Sequence, residues 1–156
     1  MADYVFESRV WLARARPEVF EFFADPANLV RITPPSFHLR VLTAPDALSA
    51  GDVLDLRMSW LGIPVGWRVF IREWDRPYRF VDVQVRGPYA RWEHRHRFLE
   101  GDGGTWMEDR VTYRLPLGPI GRVAHALLVG RQLAAMWRYR TRRLEALIGS
   151  VSSPAA

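Results

Sequence analysis

The 156-residue chain contains no cysteine and no lysine. Without cysteine there is no disulfide, no thiolate nucleophile and no cysteine-ligated zinc. Without lysine, Schiff-base catalysis and a lysine-bearing phosphate loop are excluded. No apolar run approaches the roughly 20 residues that a bilayer-spanning helix needs. The opening stretch MADYVFESRVWLARAR alternates like a strand and lacks the charged-then-apolar layout of a secretory leader. The chain therefore reads as a soluble, cytoplasmic protein with no integral membrane segment.

All 22 basic residues are arginine, set against 17 acids for a net charge of +5. The arginines are spread along the chain and interleaved with acids, as on solvated strand faces, so no nucleic-acid partner is expected. Aromatic residues make up 13% of the chain and include seven tryptophans. That much ring area suits a large core or a lined cavity. The length suits one domain, assigned to residues 1–149 and followed by a frayed tail at 150–156.

Residues 4–13 alternate as a strand. Pro17 can open a short helix carrying Val19, Phe20 and Phe23, Asp25-Pro26 can open a second, and Pro34-Pro35 ends it. Further strands are expected near 37–44, 52–60, 64–74, 79–86, 89–99 and 105–115, with EGDGGT (100–105) a hairpin connection and LGIP (61–64) a turn. From Pro119 the pattern becomes helical to Ile148, with Val123, Leu127, Ala134, Leu144 and Leu147 as the apolar stripe and Leu128, Met136 and Trp137 widening it. Arg131, Arg138, Arg142 and Arg143 are expected to face water. The order is one strand, two short helices, six strands and one long helix.

The segments PEVFEFFADPANLVRITPP, LGIPVGW, RFVDVQVRGPYARWEHRHRF and MEDRVTYRLPLGPIGRVAH resemble a bacterial branch of the SRPBCC superfamily, over about residues 4–148. This superfamily comprises START-like, birch-pollen-allergen-like and polyketide cyclase/dehydrase-like domains. The resemblance implies an α+β helix-grip fold: a seven-stranded antiparallel sheet wrapped around a long C-terminal helix, with an internal pocket. It further implies binding of a hydrophobic or aromatic small molecule, such as a lipid, quinone or polyketide-like compound. A minority of the superfamily are cyclase-type enzymes.

The stretch GPYARWEHRHRF bears most on function. On a strand, Trp92, His94, His96 and Phe98 share one face, and Arg91, Glu93, Arg95 and Arg97 share the other. If the first set looks into the grip, Met107, Asp109, Val111 and Tyr113 should join it from the next strand. Strand 79–86 leaves two phases open, Phe80-Asp82-Gln84 or Val81-Val83-Val85. The first would gather Asp82, Gln84, His94, His96, Asp109 and Tyr113 in one pocket, with Trp11, Trp67, Phe80, Trp92, Phe98 and Met136 as an apolar wall. Three readings follow. In the first, the polar groups simply satisfy one another. In the second, they orient the polar end of a ligand in a non-catalytic carrier or sensor. In the third, His94 or His96 with Asp109 acts as acid and base in a cofactor-independent cyclase or dehydratase. His-x-His is also a metal-ligand spacing, but no second His/Glu cluster reinforces it, and neither metal nor cofactor is assigned. His125, alone on the helix, reads as an edge residue. A monomer or homodimer is expected.

Overall fold

Two dipeptides with backbone forced into the left-handed region build the sheet. Leu61 (φ 50°) and Gly62 (φ 81°) join β3 (Val53–Trp60) to β4 (Ile63–Asp75), with Trp60 opposite Ile63. Asp102 (φ 55°) and Gly103 (φ 78°) join β6 (Arg91–Gly101) to β7 (Gly104–Arg114), with Gly101 opposite Gly104. Positive φ at both central residues gives the tight turn whose twist matches the strands on either side. The first turn is shorter than the sequence suggested: Ile63 and Pro64 already belong to β4, because two residues close this hairpin.

The computed structural model describes residues 3–149. The stretch 150–156, read as a frayed tail, lies outside the described residues. Seven antiparallel strands form one sheet in the order β1-β7-β6-β5-β4-β3-β2, where β1 is Tyr4–Leu12, β2 is Arg40–Thr43 and β5 is Arg79–Arg86. Strands β1 and β2 follow one another in sequence yet lie at opposite edges. The connection between them is long enough to carry α1 (Arg16–Ala24) and α2 (Ala27–Arg31) across the concave face. Asp25 Oδ1 accepts the Ala27 N–H at 2.9 Å, fixing the start of α2. After α2 the prolines impose a single 3-10 turn at Pro35–Phe37, and His38 takes a left-handed conformation. Strand β2 is therefore shorter than the expected 37–44.

The C-terminal helix runs without a break from Gly118 to Gly149, and two π turns interrupt its α geometry. Segment α3 (Gly118–Ala124) leads into a π turn at His125–Val129, then α4 (Gly130–Leu144), then a second π turn at Glu145–Gly149. The expected apolar stripe holds at Met136, Trp137 and Leu144 and is corrected upstream of them. Val123, Leu127 and Leu128 are 60%, 57% and 54% exposed, whereas Val129, Leu133, Met136, Trp137, Arg140 and Leu144 are buried. The wider turn changes the helical phase, so an extrapolation at 3.6 residues per turn across it selects the wrong face. Gly121 on α3 sits close against the Leu115–Pro116 stretch, and at the first residue of the π turn the His125 ring stacks on Tyr4 at 3.6 Å with its Nε2 2.7 Å from the Tyr113 hydroxyl. As expected, Arg131, Arg138 and Arg142 are exposed.

The inner face of the sheet and the helices share a core in which Phe20, Phe98 and Met107 are completely buried. The convex face carries the arginines. Arg9 and Arg97 pair with Glu108, Arg110 with Glu7, and Arg91 and Arg114 with Asp3. Such exposed pairs each contribute at most about 1 kcal/mol, so the fold rests on the inner face. Phe98 packs edge-on to Phe20, ring centres 5.2 Å apart. Phe98→Ala is expected to cost about 3–5 kcal/mol in urea unfolding, against under about 0.5 kcal/mol for the neighbouring Arg97→Ala.

Candidate functional site

Strand pairing sets the site. His96 lies opposite Phe80 on β5 and Asp109 on β7; His94 lies opposite Asp82 and Val111. Residues directly opposite share a face. Phe80, Asp82 and Gln84 therefore point to the concave side with His94, His96 and Asp109, which settles the phase of β5.

The polar residues meet within hydrogen-bond distance. His94 Nε2 lies 2.6 Å from Asp109 Oδ1, and His96 Nε2 lies 2.9 Å from Asp82 Oδ2. His94 Nδ1 is 3.8 Å from the same Asp82 oxygen. His96 Nδ1 approaches Asp109 Oδ1 to 3.1 Å but is left without a hydrogen bond. The two imidazole centres are 3.6 Å apart. Trp137 on α4 donates its indole N–H to Asp109 Oδ2 at 3.3 Å, tying helix to sheet. Asp109, His94 and His96 are each about 95% buried.

Crowding of charge fixes the protonation. Burial alone would raise the Asp109 carboxyl, but the charges and hydrogen bonds of both histidines outweigh it and hold it well below the usual carboxylate range. Burial lowers His94, and the adjacent His96 lowers it further, more than Asp109 restores. Burial also opposes charge on His96, yet the close Asp109 carboxylate and the hydrogen bond to Asp82 prevail and raise it. Of the two imidazoles, the cluster thus favours a proton on His96 over His94. Arg140 on α4, 6% exposed, adds a fixed positive charge.

This cluster forms one end of a cavity of about 130 Å³. Asp82, His94, His96 and Arg140 line it, together with Trp67, Phe80, Trp92 and Met136. Leu54, Leu56, Met58 and Ile71 from β3 and β4 and Phe22, Phe23 and Ile32 from the α1–α2 region complete the apolar wall. Five residues expected in the pocket do not line it. Asp109 stands behind the histidines. Phe98 is in the core under Phe20. Tyr113 belongs to the cluster around Tyr89 and Val129, with its hydroxyl on His125. Gln84 clasps the β5–β6 corner, donating to the Tyr89 carbonyl at 2.7 Å and accepting its N–H at 3.2 Å. A side chain at Gly87 would run into that amide, which explains the glycine. Trp11 points to the convex side and donates to the Gly101 carbonyl. In each case alternation gives the face or its reverse, and distance along the strand decides the rest.

Arg140 was missed. Its signal is the spacing Leu133, Met136, Trp137, Arg140, Leu144, which places it on the inner face of α4 once the helix is phased from Trp137. Asp82, His94 and His96 offer one ligand atom each within 4.8 Å, a set able to take a metal ion. The buried Arg140 guanidinium already places one positive charge near Asp109 and Asp82.

The profile of the polyketide cyclase/dehydrase and lipid transport family matches residues 12–137. The chain belongs to this family. No curated protein sequence matches the chain. Solved structures share the family's fold at low identity. A START superfamily protein from Mycobacterium smegmatis superposes with a TM-score of 0.69 at 15% identity, covering 92% of this chain and 98% of that one. The di-domain ARO/CYC StfQ from the steffimycin biosynthetic pathway gives 0.73 at 16% identity, over 94% of this chain and 51% of that one. A nucleoside-diphosphate sugar epimerase from Corynebacterium glutamicum gives 0.64 at 24% identity, over 89% of this chain and 28% of that one. Together with the seven-stranded sheet and long C-terminal helix, these matches establish the helix-grip, SRPBCC-type fold. Among the described residues no helix is long and apolar enough to cross a membrane.

The raised His96 has a consequence for stability. A group whose folded pKa exceeds its unfolded value, about 6.5 for histidine, contributes stability fully below that pH and loses it as pH rises through the folded value. The urea-midpoint gap between wild type and His96→Gln is therefore expected to narrow from about pH 6 to about pH 9. A gap that widens over this range would contradict the assignment of the proton to His96.

Proposed function

We propose that this family member binds a small, mainly apolar molecule with a polar head group in the cavity, as a non-catalytic carrier or sensor. One observation carries the reading: an aromatic and aliphatic wall closed at one end by Asp82, His94, His96 and Arg140. Binding sites for small molecules have this composition, apolar area for affinity and a few polar groups for orientation. Burying roughly 150 Å² of a ring at about 25 cal/mol per Å² gives ~4 kcal/mol. Association alone costs at least about that much, so the polar end decides whether anything stays bound. His94, His96, Asp82, Trp67, Phe80, Trp92 and Met136 would touch the ligand, and Asp109 would hold the imidazoles in place. The same reading takes the protein as cytoplasmic, a monomer or homodimer, with neither metal nor nucleic acid as partner.

A second reading has one geometric observation in its favour. His94 is held through Nε2 by a buried carboxylate, while Nδ1 remains directed toward the Asp82 side of the cavity. A histidine oriented by an acid is the arrangement of a general base, here for a cyclase or dehydratase acting without cofactor. Turnover with a bell-shaped pH–rate profile, lost in His94→Gln, would replace the carrier reading with this one.

Native mass spectrometry of gently purified protein, compared with its denatured mass, is expected to show an organic adduct that leaves on unfolding. His94→Ala and His96→Ala should each weaken binding of that molecule about tenfold or more. Arg95→Ala, on the convex face with its Nε on Glu93 at 2.8 Å, should leave it unchanged. Equal losses in all three variants would remove the histidines from the site.

A further inference from the structure

The buried hydrogen-bonding groups left unsatisfied at the cavity are uneven in kind. Among the described residues, five buried side-chain nitrogens lack a partner and no buried side-chain oxygen does. Three of the five, Trp67 Nε1, His96 Nδ1 and Arg140 Nε, belong to residues that line the cavity. An unpaired buried polar group costs about 1–3 kcal/mol, and more for a charged one. The site is thus rich in nitrogen donors that lack an acceptor.

Arg140 is the strongest of the three. Its guanidinium carbon stands 4.8 Å from the Trp137 ring centre, and among the described residues no carboxylate reaches it within 4.0 Å. Asp82 and Asp109 act on it only from further away, since both are held by the histidines. Arginine does not escape burial by losing its proton, so a guanidinium in this position calls for an acceptor. Its planar fork matches the two oxygens of a carboxylate.

Volume supplies the second limit. A cavity of about 150 Å³ holds one benzene ring; this one is about 130 Å³. A long acyl chain or a fused-ring polyketide would have to extend beyond the cavity or push its walls apart.

We propose that the cavity selects a single-ring aryl carboxylate, its ring held among Trp67, Trp92 and the apolar wall and its carboxylate on the Arg140 guanidinium. This rests on the ligand-binding reading above and adds the sign and size of the ligand.

The test is a titration of tryptophan fluorescence and calorimetric heat with three probes at neutral pH. Benzoate is the candidate acid, benzamide its neutral isostere, and indole a probe of the apolar cavity. Wild type is expected to bind benzoate at least tenfold more tightly than benzamide. Arg140→Met should lose that preference while keeping its affinity for indole, and Arg140→Lys should retain part of it. Benzamide binding as tightly as benzoate, or an unchanged ratio in folded Arg140→Met, would overturn the proposal. If Arg140→Met does not fold, the wild-type ratio and Arg140→Lys still decide. Indole bound without benzoate would overturn this proposal and leave the cavity reading standing. No binding of any probe, with no adduct in native mass spectrometry, would overturn both.

Discussion

A carboxylate sealed between sheet and helix constrains the whole inner face. Asp109 receives His94 from β6 on Oδ1 and the Trp137 indole from α4 on Oδ2, with His96 Nδ1 close to the same oxygen as His94. An isolated carboxylate in such a place is prohibitively costly, and removing one partner from a buried pair typically costs about 3–5 kcal/mol. The helix must therefore lie where Trp137 reaches Asp109, and β5, β6 and β7 must keep their register. That register in turn brings Asp82 beneath the histidines and leaves the cavity at the boundary between polar cluster and aromatic wall.

The arrangement separates two jobs that a polar network often merges. Asp109 faces the histidines and fixes their orientation, while the cavity sees Asp82, the imidazoles and Arg140. Arg140 gives the cluster one fixed cation, while burial and the adjacent His96 disfavour a proton on His94.

Much of the fold was legible because hairpin partners repeat the same alternation. Trp92, His94, His96 and Phe98 announce one face of β6, and Met107, Asp109, Val111 and Tyr113 announce its partner. What alternation lacks is position along the strand. Phe98 and Tyr113 share the face of His96 yet fall on either side of the cavity, one under Phe20 and the other beside His125. Gln84 shares the face of Asp82 but lies where the chain turns, and its amide is used there. Arg140 stayed hidden for a different reason: in an arginine-rich helix its identity carries no signal, and only the phase does. The residues that fix this phase lie beyond a π turn that composition does not mark.

The π turn at His125–Val129 also bears on which changes of length the helix can absorb. An α-helix advances about 100° per residue, so the widened turn acts as a coupling between two halves set at different angles. At its first residue, His125 is aimed at Tyr4 and Tyr113; downstream, Trp137 is aimed at Asp109 and Arg140 at the cavity. Losing a single residue within the coupling would rotate one half against the other by that angle. Either the histidine would leave its tyrosines or the tryptophan and arginine would swing off the site. The exposed Leu127 and Leu128 are free to vary, but the residue count of the segment is not.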